Sequence, residues 1–582
     1  MRKLLPVLLF LSLSVQSVFA QGAFTPEQYK KALWMVTRMY GGQRDGYGPN
    51  WLLIGHTYNT SFIKDGQADE KGNAIVPPVD LVGGWFDCGD NVLFGQTFFY
   101  SAYMLAKAYD VFPTGFHDLY DGTDYSDYVE SGDWSINGGK PNGIPDLLEE
   151  LKYATDWIIK ATPDANNFYY QKGNGGGSDD HKLWITSATL PRSDGGESDK
   201  PRPVCKNPND GAMASFAAAT LAVMSKIYHK YDATYAAKAL THAKNAYAYA
   251  KPRKNQGAAT CFGNFYGAMD ANKVPMVFHI AASEMYKITG ESTYLSDMLT
   301  SQVSFNWAFD YANPHDLAAY ASASTITNNT QSYITNMQTE FVNRYTGQVN
   351  SEKLNTNGGD WGQLRYPANH AFSTALYSTV ADNTTQYDQF IYNQIDYILG
   401  NNNAKQSFVV GFCEGCTKMA SKPHHRNVYL DDNDNEGNHL TIPEKNKYFG
   451  YMVGGQRTSG SYVDDIKSYT NTEGGLDYNA GLLGALAYIV SKLAPADTSK
   501  FGVLPIDPDP DPSSIMSKPN GPLAQNSIIR FIGAYEFPAQ NKSFTVQIFN
   551  SKGEAVSALK SNGQAIKYTP QNLGIYFARI RD

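Results

Sequence analysis

The stretch GGWFDCGDN, residues 83–91, sets Asp87 and Asp90 three apart in a glycine-rich loop, with Trp85 before them and Cys88 between them. Asp and Gly are also what tight turns select, since an Asx-turn spends the carboxylate on its own backbone and Gly supplies positive φ. Read alone, the turn is the simpler account and a catalytic carboxylate pair the sharper one. The surrounding chain decides between them.

On both sides of this loop the apolar residues recur with a period of 3.6. The segment TPEQYKKALWMVTRMY, from Thr25, opens with an N-cap, Pro26 at the first helical position and Gln28 three after the cap, a capping box. Nine further runs share the period, beginning at Val92, Ile144, Gly211, Ala233, Val274, Asn329, Pro367, Tyr387 and Tyr478. About ten helices are therefore expected, joined by long Gly, Asn and Asp rich loops such as QKGNGGGSDDHKLW and YLDDNDNEGNHL. Long loops on a rigid helical frame are where binding and catalytic residues collect.

The N-terminus MRKLLPVLLFLSLSVQSVFAQG has two basic residues, an apolar run from Leu4 to about Val18 and small residues up to Ala20, the pattern of a cleaved secretory signal over residues 1–20. That run is too short to span a bilayer, and no other stretch replaces it. The side chains include 48 basic and 56 acidic residues, so no basic surface invites nucleic acid. Hydrophobic residues at 42% suffice for a large core, and the 40 tyrosines supply rings for packing or for stacking on sugars.

Five cysteines, Cys88, Cys205, Cys261, Cys413 and Cys416, cannot all pair within one chain. Cys413 and Cys416, in CEGC, can close a small disulfide or supply two zinc ligands, although the sequence places no local partners for a zinc site. After about Leu493 the composition changes. An Asp/Pro-rich linker is expected over 496–516, because alternating Asp and Pro favour an extended chain. A small β module is expected over 517–582, with hairpins at NSKG and SNGQ.

Three further stretches carry chemistry. SYVDDIKSYTNTEGGLDYNAG, 461–481, holds Glu473 just before an apolar helix, with Asp464, Asp465 and Asp477 near it. DWGQLRYPANHAF holds Trp361 and Arg365, and KPHHRN holds His424, His425 and Arg426. A lone loop glutamate is usually solvated, but a His-His-Arg run has no obvious packing reason.

In these residues the chain resembles the family 9 glycoside hydrolases, the cellulases whose loop reads Gly-Gly-aromatic-aromatic-Asp-Ala-Gly-Asp. Here Cys88 stands in the alanine's place. The late motif of the family fits Tyr462, Asp464, Tyr469, Glu473, Asn479 and Ala480 in register, with Gly475 where Ser, Thr or Ala is usual. QIDYILG, VVGF, HHR and WGQLRY also match in family order, so the resemblance spans about residues 24–493.

The resemblance implies an all-α (α/α)6 barrel over residues 21–495 that hydrolyses β-1,4-glucan with inversion, Glu473 acting as general acid, Asp90 as general base and Asp87 helping to hold the water. It implies that His181, Trp361, Arg365, His424, Arg426 and Tyr478 bind substrate. No cofactor is required. The family's calcium loop is replaced by PNDGAMASFAAAT, which lacks most of the oxygen ligands, so that Asn209 and Asp210 are expected to cap a helix instead. No metal ligand is assigned.

The chemistry agrees with those roles. A glycosidic oxygen leaves only when protonated, so one carboxyl must stay protonated near neutrality while another, across the sugar, stays ionised to activate water. Asp87 and Asp90 repel, which raises one pKa unless loop N–H groups stabilise both. A non-catalytic glucan-binding barrel would require none of the three carboxylates. Mixed-linkage glucan, xyloglucan and chitooligosaccharides stay open as alternatives to cellulose. The expected protein is a secreted monomer, at the cell surface if the C-terminal module is a sorting signal; if that module binds carbohydrate instead, Phe531, Tyr535 and Phe537 are its candidate exposed aromatics.

Overall fold

The structure is a computed structural model. It describes residues 21–45, 65–119, 141–175, 181, 201–256, 265–266, 269–301, 303–304, 309–328, 330–381, 385–425, 448–456, 461–493, 528–532, 535–537, 543–550, 555–562, 564–569 and 575–581. The expected signal segment, the linker and Arg426 lie outside the described residues.

In chain order the main helices are α1 (Pro26–Gly42), α2 (Gly95–Val111), α3 (Asp146–Ala161), α4 (Ala212–Ile227), α5 (Ala233–Ala250), α6 (Val274–Thr289), α7 (Ser292–Thr300), α8 (His315–Thr325), α9 (Thr330–Met337, continued by a π turn at Gln338–Val342 and a last turn at Asn343–Gly347), α10 (Arg365–Tyr377), α11 (Asp388–Ile398) and α12 (Leu476–Lys492). Even and odd members separate into two layers. Helix α2 packs on α4, α4 on α6, α6 on α8, α8 on α10, α10 on α12, and α12 returns to α2, which closes an inner ring of six. The odd helices lie outside it: α1 against α12, α3 against α2, α5 against α4, α7 against α6, α9 against α8, and α11 against α10. This is an (α/α)6 barrel.

The layers read differently in sequence because they bury different amounts of surface. In α4, AMASFAAATLAVMSKI, every residue except Lys226 is buried, and α12 is buried from Leu476 to Val490. A helix apolar all round belongs inside. Close approach of α12 to α10 needs Gly481 and Gly484, where a Cβ would come within 2.1 Å of Asn369 and 2.5 Å of Phe372. The capping box of α1 forms as read: Thr25 Oγ1 accepts from the Gln28 N–H at 3.3 Å, and Gln28 Oε1 accepts from the Thr25 N–H at 2.9 Å.

Ten of the twelve helices coincide with the periodic runs, and the exceptions are α7 and α8. Helix α8, HDLAAYASAST, is buried on nearly every face, so it shows no stripe, and α7 has nine residues of which only Tyr294 and Met298 are buried. Together they complete the six pairs.

Short strands decorate the barrel. β1 (Ala68–Asp69), β2 (Tyr169–Lys172) and β3 (Pro203–Lys206) form a sheet in the order β1-β3-β2, and β4 (Gln406–Ser407) pairs with β5 (Lys418–Met419) around the CEGC loop. Cys413 and Cys416 are joined as a disulfide, Cys205 is also disulfide-bonded, and Cys88 is the free cysteine, buried, among the described residues. The thiols of CEGC are thus not zinc ligands. Asp210 Oδ1 accepts the Ala212 N–H at 2.7 Å and the Met213 N–H at 3.4 Å, so it caps α4 as expected.

In the C-terminal region β6 (Ile528–Ile532), β8 (Phe544–Asn550), β9 (Ala555–Ser561) and β11 (Ile575–Arg581) form an antiparallel sheet in the order β6-β11-β8-β9, beside a pair of β7 (Tyr535–Phe537) and β10 (Ile566–Tyr568). β8 and β9, the strands that flank NSKG, pair antiparallel as expected. The hairpin at SNGQ does not form, because β10 pairs with β7 instead of β9. Phe537, expected on the surface, is fully buried with Phe544, Val546, Ile548 and Ala578 in the core of this sheet and is not available for stacking. Among the described residues no helix is long and apolar enough to cross a membrane.

Candidate active site

The loop of residues 83–91 leads into α2, and buried charges hold it at both ends. Lys172, on β2, donates through Nζ to the carbonyls of Leu81 at 2.9 Å and Gly83 at 2.6 Å, and Arg202 donates to the carbonyl of Asn91 at 3.1 Å. One cation thus grips each end of the loop. Both pair with two aspartates that are equally buried: Lys172 with Asp45 at 2.8 Å and Asp65 at 3.2 Å, and Arg202 with each of them at 2.5 Å. Cations and carboxylates without solvent persist only when paired and hydrogen-bonded in this way. Gln43, at the end of α1, adds a third hold by donating from Nε2 to the carbonyl of Cys88 at 2.9 Å, and its Oε1 lies 3.0 Å from Nε2 of the buried His425.

Within the loop Asp87 is completely buried and accepts from the Tyr266 hydroxyl. Burial, then the charges of Asp90 and Asp477, push its carboxyl well above the usual range. Asp90 is 6% exposed and its Oδ1 accepts the Val92 N–H at 2.8 Å. A carboxylate oxygen of Asp87, Cys88 Sγ and a carboxylate oxygen of Asp90 lie within 4.8 Å of one another. Within the loop a backbone N–H group thus serves Asp90, while burial and the neighbouring charges raise the carboxyl of Asp87.

Glu473 follows directly on a short helical turn, Tyr469–Thr472, near enough for the charge of Asp90 to act on it. Its carbonyl accepts the Gly454 N–H at 2.6 Å, and its half-buried carboxylate accepts from Trp361 Nε1 at 2.8 Å. Burial pushes the Glu473 carboxyl up to about 7; the indole hydrogen bond and Arg365 oppose the rise, while the charges of Asp90 and Asp477 add to it. Asp477, in the first turn of α12, pairs with Arg365 Nη1 at 2.8 Å. The Arg365 guanidinium in turn lies 4.9 Å from the Tyr366 ring centroid, 5.1 Å from that of Tyr478 and 5.5 Å from that of Tyr311.

The loop of Asp87 and Asp90 and the segment of Glu473 touch directly. The Leu476 N–H donates to the Asp87 carbonyl at 2.9 Å, and a Cβ on Gly89 would come within 2.6 Å of the His424 carbonyl. Around the carboxylates stand exposed aromatic surfaces. Trp361 is 47% exposed and its ring lies 5.3 Å from that of Tyr469, which is also 5.7 Å from His424. On the side of Asp87, Phe265 is 53% exposed, stacks on Phe94 at 5.3 Å and packs edge-on to His181 at 4.4 Å. Tyr478 is buried beneath Arg365. Asp464 does other work, accepting from the Ser421 and Lys422 N–H groups that lead into His424.

Sequence reasoning missed Tyr266, Gln43, Lys172 and Arg202. Tyr266 carried a weak signal, an aromatic pair in the Gly-rich loop FGNFYG; the cations of YYQKGN and KPRPVC look like ordinary surface residues. The arrangement combines one half-buried carboxyl raised to about 7 with a buried carboxyl pair of which Asp87 is raised well above the usual range.

Comparison with known proteins agrees with this geometry. The family described as glycosyl hydrolase family 9 matches residues 29–486. The chain is 34% identical to endoglucanase A of Fibrobacter succinogenes over 423 residues, 71% of this chain and 89% of that one. It is 30% identical to endoglucanase A of Bacillus pumilus, over 79% of this chain and 66% of that one. Among solved structures, the endoglucanase of the termite Nasutitermes takasagoensis superposes with a TM-score of 0.62 at 27% identity, covering 81% of this chain and 99% of the termite enzyme. A cellulase of C. cellulolyticum in complex with cellobiose gives the same TM-score and identity over 79% and 98% of the two chains.

Proposed function

Since this chain belongs to glycosyl hydrolase family 9, we propose that it is an exported endo-β-1,4-glucanase that cleaves internal bonds of cellulose and related β-glucans with inversion at the anomeric carbon. Relatives named as endoglucanases and the cellobiose complex support the substrate class. The observation that supports the mechanism is the difference between the carboxyls: Glu473, held up at about 7, keeps a proton to give, while Asp90 accepts a backbone donor.

Glu473 transfers that proton to the glycosidic oxygen as the C1–O bond breaks, so the leaving sugar departs as an alcohol. Asp90 takes a proton from a water that attacks C1 on the opposite face, and the new C1–OH is α. Asp87, with Tyr266 on its other oxygen, orients the water. Trp361 and Tyr469 offer ring faces to a pyranose, and Arg365, His181, His424 and Arg426 donate to its hydroxyls. Opposed carboxyls roughly 6.5–9.5 Å apart are the inverting arrangement.

The enzyme acts as a monomer without a required metal. The C-terminal strands serve sorting to the surface or carbohydrate binding and take no part in turnover, so deletion of residues 517–582 leaves hydrolysis of soluble glucan intact. Proton NMR of the first product from a soluble β-glucan should show the α-anomer, with reducing-sugar release greatest on cellulosic substrates in a panel that includes mixed-linkage glucan, xylan and chitin oligomers. A β-anomer would overturn the assignment of Asp90 as base.

A further inference from the structure

Gly475 stands at the N-cap of α12, two residues after Glu473, where Ser, Thr, Asp or Asn would bond the first free N–H groups of the helix. Its backbone does not demand glycine: φ is −170° and ψ 179°, extended geometry open to any residue. What excludes a side chain is space. A Cβ built there comes within 2.7 Å of Cys88 Sγ, with the Asp87 carbonyl at 3.3 Å and Asp477 Oδ1 at 3.4 Å. The thiol itself is 4% exposed, makes no disulfide, lies 4.0 Å from the Tyr266 hydroxyl and has carboxylate oxygens of Asp87 and Asp90 within 4.8 Å. It is used as volume.

We propose that Cys88 and Gly475 are a matched pair in which the sulfur atom, seated against the bare Cα of residue 475, sets the spacing between the loop of Asp87 and Asp90 and the segment of Glu473. Cys88 is thereby a positioning residue. It lies between the two aspartates in sequence, and Gly475 is bound to the same loop by the Leu476 N–H on the Asp87 carbonyl at 2.9 Å. A heavy atom added at 475 without one removed at 88 must push these segments apart, because both partners are buried and close-packed interiors pass strain on to their neighbours. The inference rests on the roles proposed above for Asp90 and Glu473.

The test is a double-mutant cycle on the full chain, with Cys88→Ala, Gly475→Ala and the pair combined, assayed on a soluble cellooligosaccharide. Gly475→Ala should lose about tenfold or more in kcat with little change in KM, and Cys88→Ala a smaller factor of about three, since contacting residues couple. The combined variant moves one heavy atom from one side of the contact to the other and should recover to within about threefold of the parent. Its pH profile should return to the parent's, whereas that of Gly475→Ala should not. Should Gly475→Ala fail to fold, the decisive comparison is Cys88→Ala against the combined variant, which should be the faster. Losses that multiply, or a combined variant slower than Cys88→Ala, overturn the pairing. Glu473→Gln, run alongside, separates the two readings: full activity there would remove the catalytic assignment, while multiplying losses with an inactive Glu473→Gln would remove only the spacer.

Discussion

The loop of Asp87 and Asp90 and the segment of Glu473 present carboxylates to the same space but are held by opposite means. The first is buried and gripped at both ends by Lys172 and Arg202, themselves neutralised by Asp45 and Asp65. The second is half-buried and meets an indole that is 47% exposed. On the roles proposed above, the difference follows from the tasks. A base and its water need fixed geometry, which a dry charge lattice supplies at the cost of desolvation. An acid needs a pKa near the working pH, and moderate burial with one tunable donor supplies that.

The strongest way to break the comparison is to delete each carboxylate. Asp90→Ala should lose about 10⁴-fold in kcat on soluble glucan, at the upper end of what a positioned acid or base contributes, with partial rescue by azide attacking in place of water. Asp87→Ala should fall somewhat less and be rescued poorly. Glu473→Gln should lose about 10³-fold on glucan yet keep much of its activity on an aryl cellobioside, whose leaving group needs little protonation. Steady-state kinetics on the two substrates reads both.

Arg202→Met attacks the lattice with no change to any reacting group. It strands Asp45 and Asp65 with Lys172 alone, a loss of about 3–5 kcal/mol, and calorimetry should show a lower Tm with a fall in kcat. Equivalent damage at the acid side is not expected. Trp361→Phe removes the hydrogen bond that favours ionised Glu473 while keeping a ring for stacking. The Glu473 pKa should therefore rise, and the alkaline limb of the kcat profile should move to higher pH by about half a unit.

The smallest effect concerns stability. Because the folded pKa of Glu473 is about 7 against 4.5 for the free side chain, the folded state binds the extra proton between those values, and stability falls as pH rises through that window. Glu473→Gln should remove this slope. Its Tm should exceed the parent's by about 3 °C at pH 8 and match it near pH 4.

How much of this was legible in the sequence depended on whether a feature repeats locally. The one-sided stripes of α1 and α3 announce themselves, whereas α8, buried all round and built from Ala, Ser and His, has no period to find. The three carboxylates, Trp361 and Arg365 lie in motifs that survive in short windows. Lys172 and Arg202 do not: their meaning comes from Asp45 and Asp65, carried by segments more than a hundred residues away, and nothing in their own neighbourhood marks them as buried. The fate of Phe537 has the same origin, since alternation within β7 leaves open which face the neighbouring strands will cover.

The ring closes where α12 returns to α2, the last helix of the barrel against the first of its inner layer. Tyr40 donates to the Leu476 carbonyl at 2.8 Å across 436 positions of sequence, and Leu476 itself holds Asp87. No N-terminal fragment, however long, can assemble the site before residues 473–492 have been made. Biosynthesis therefore imposes a delay: the proposed site stays incomplete until α12, the last helix among the described residues, has been made and has docked.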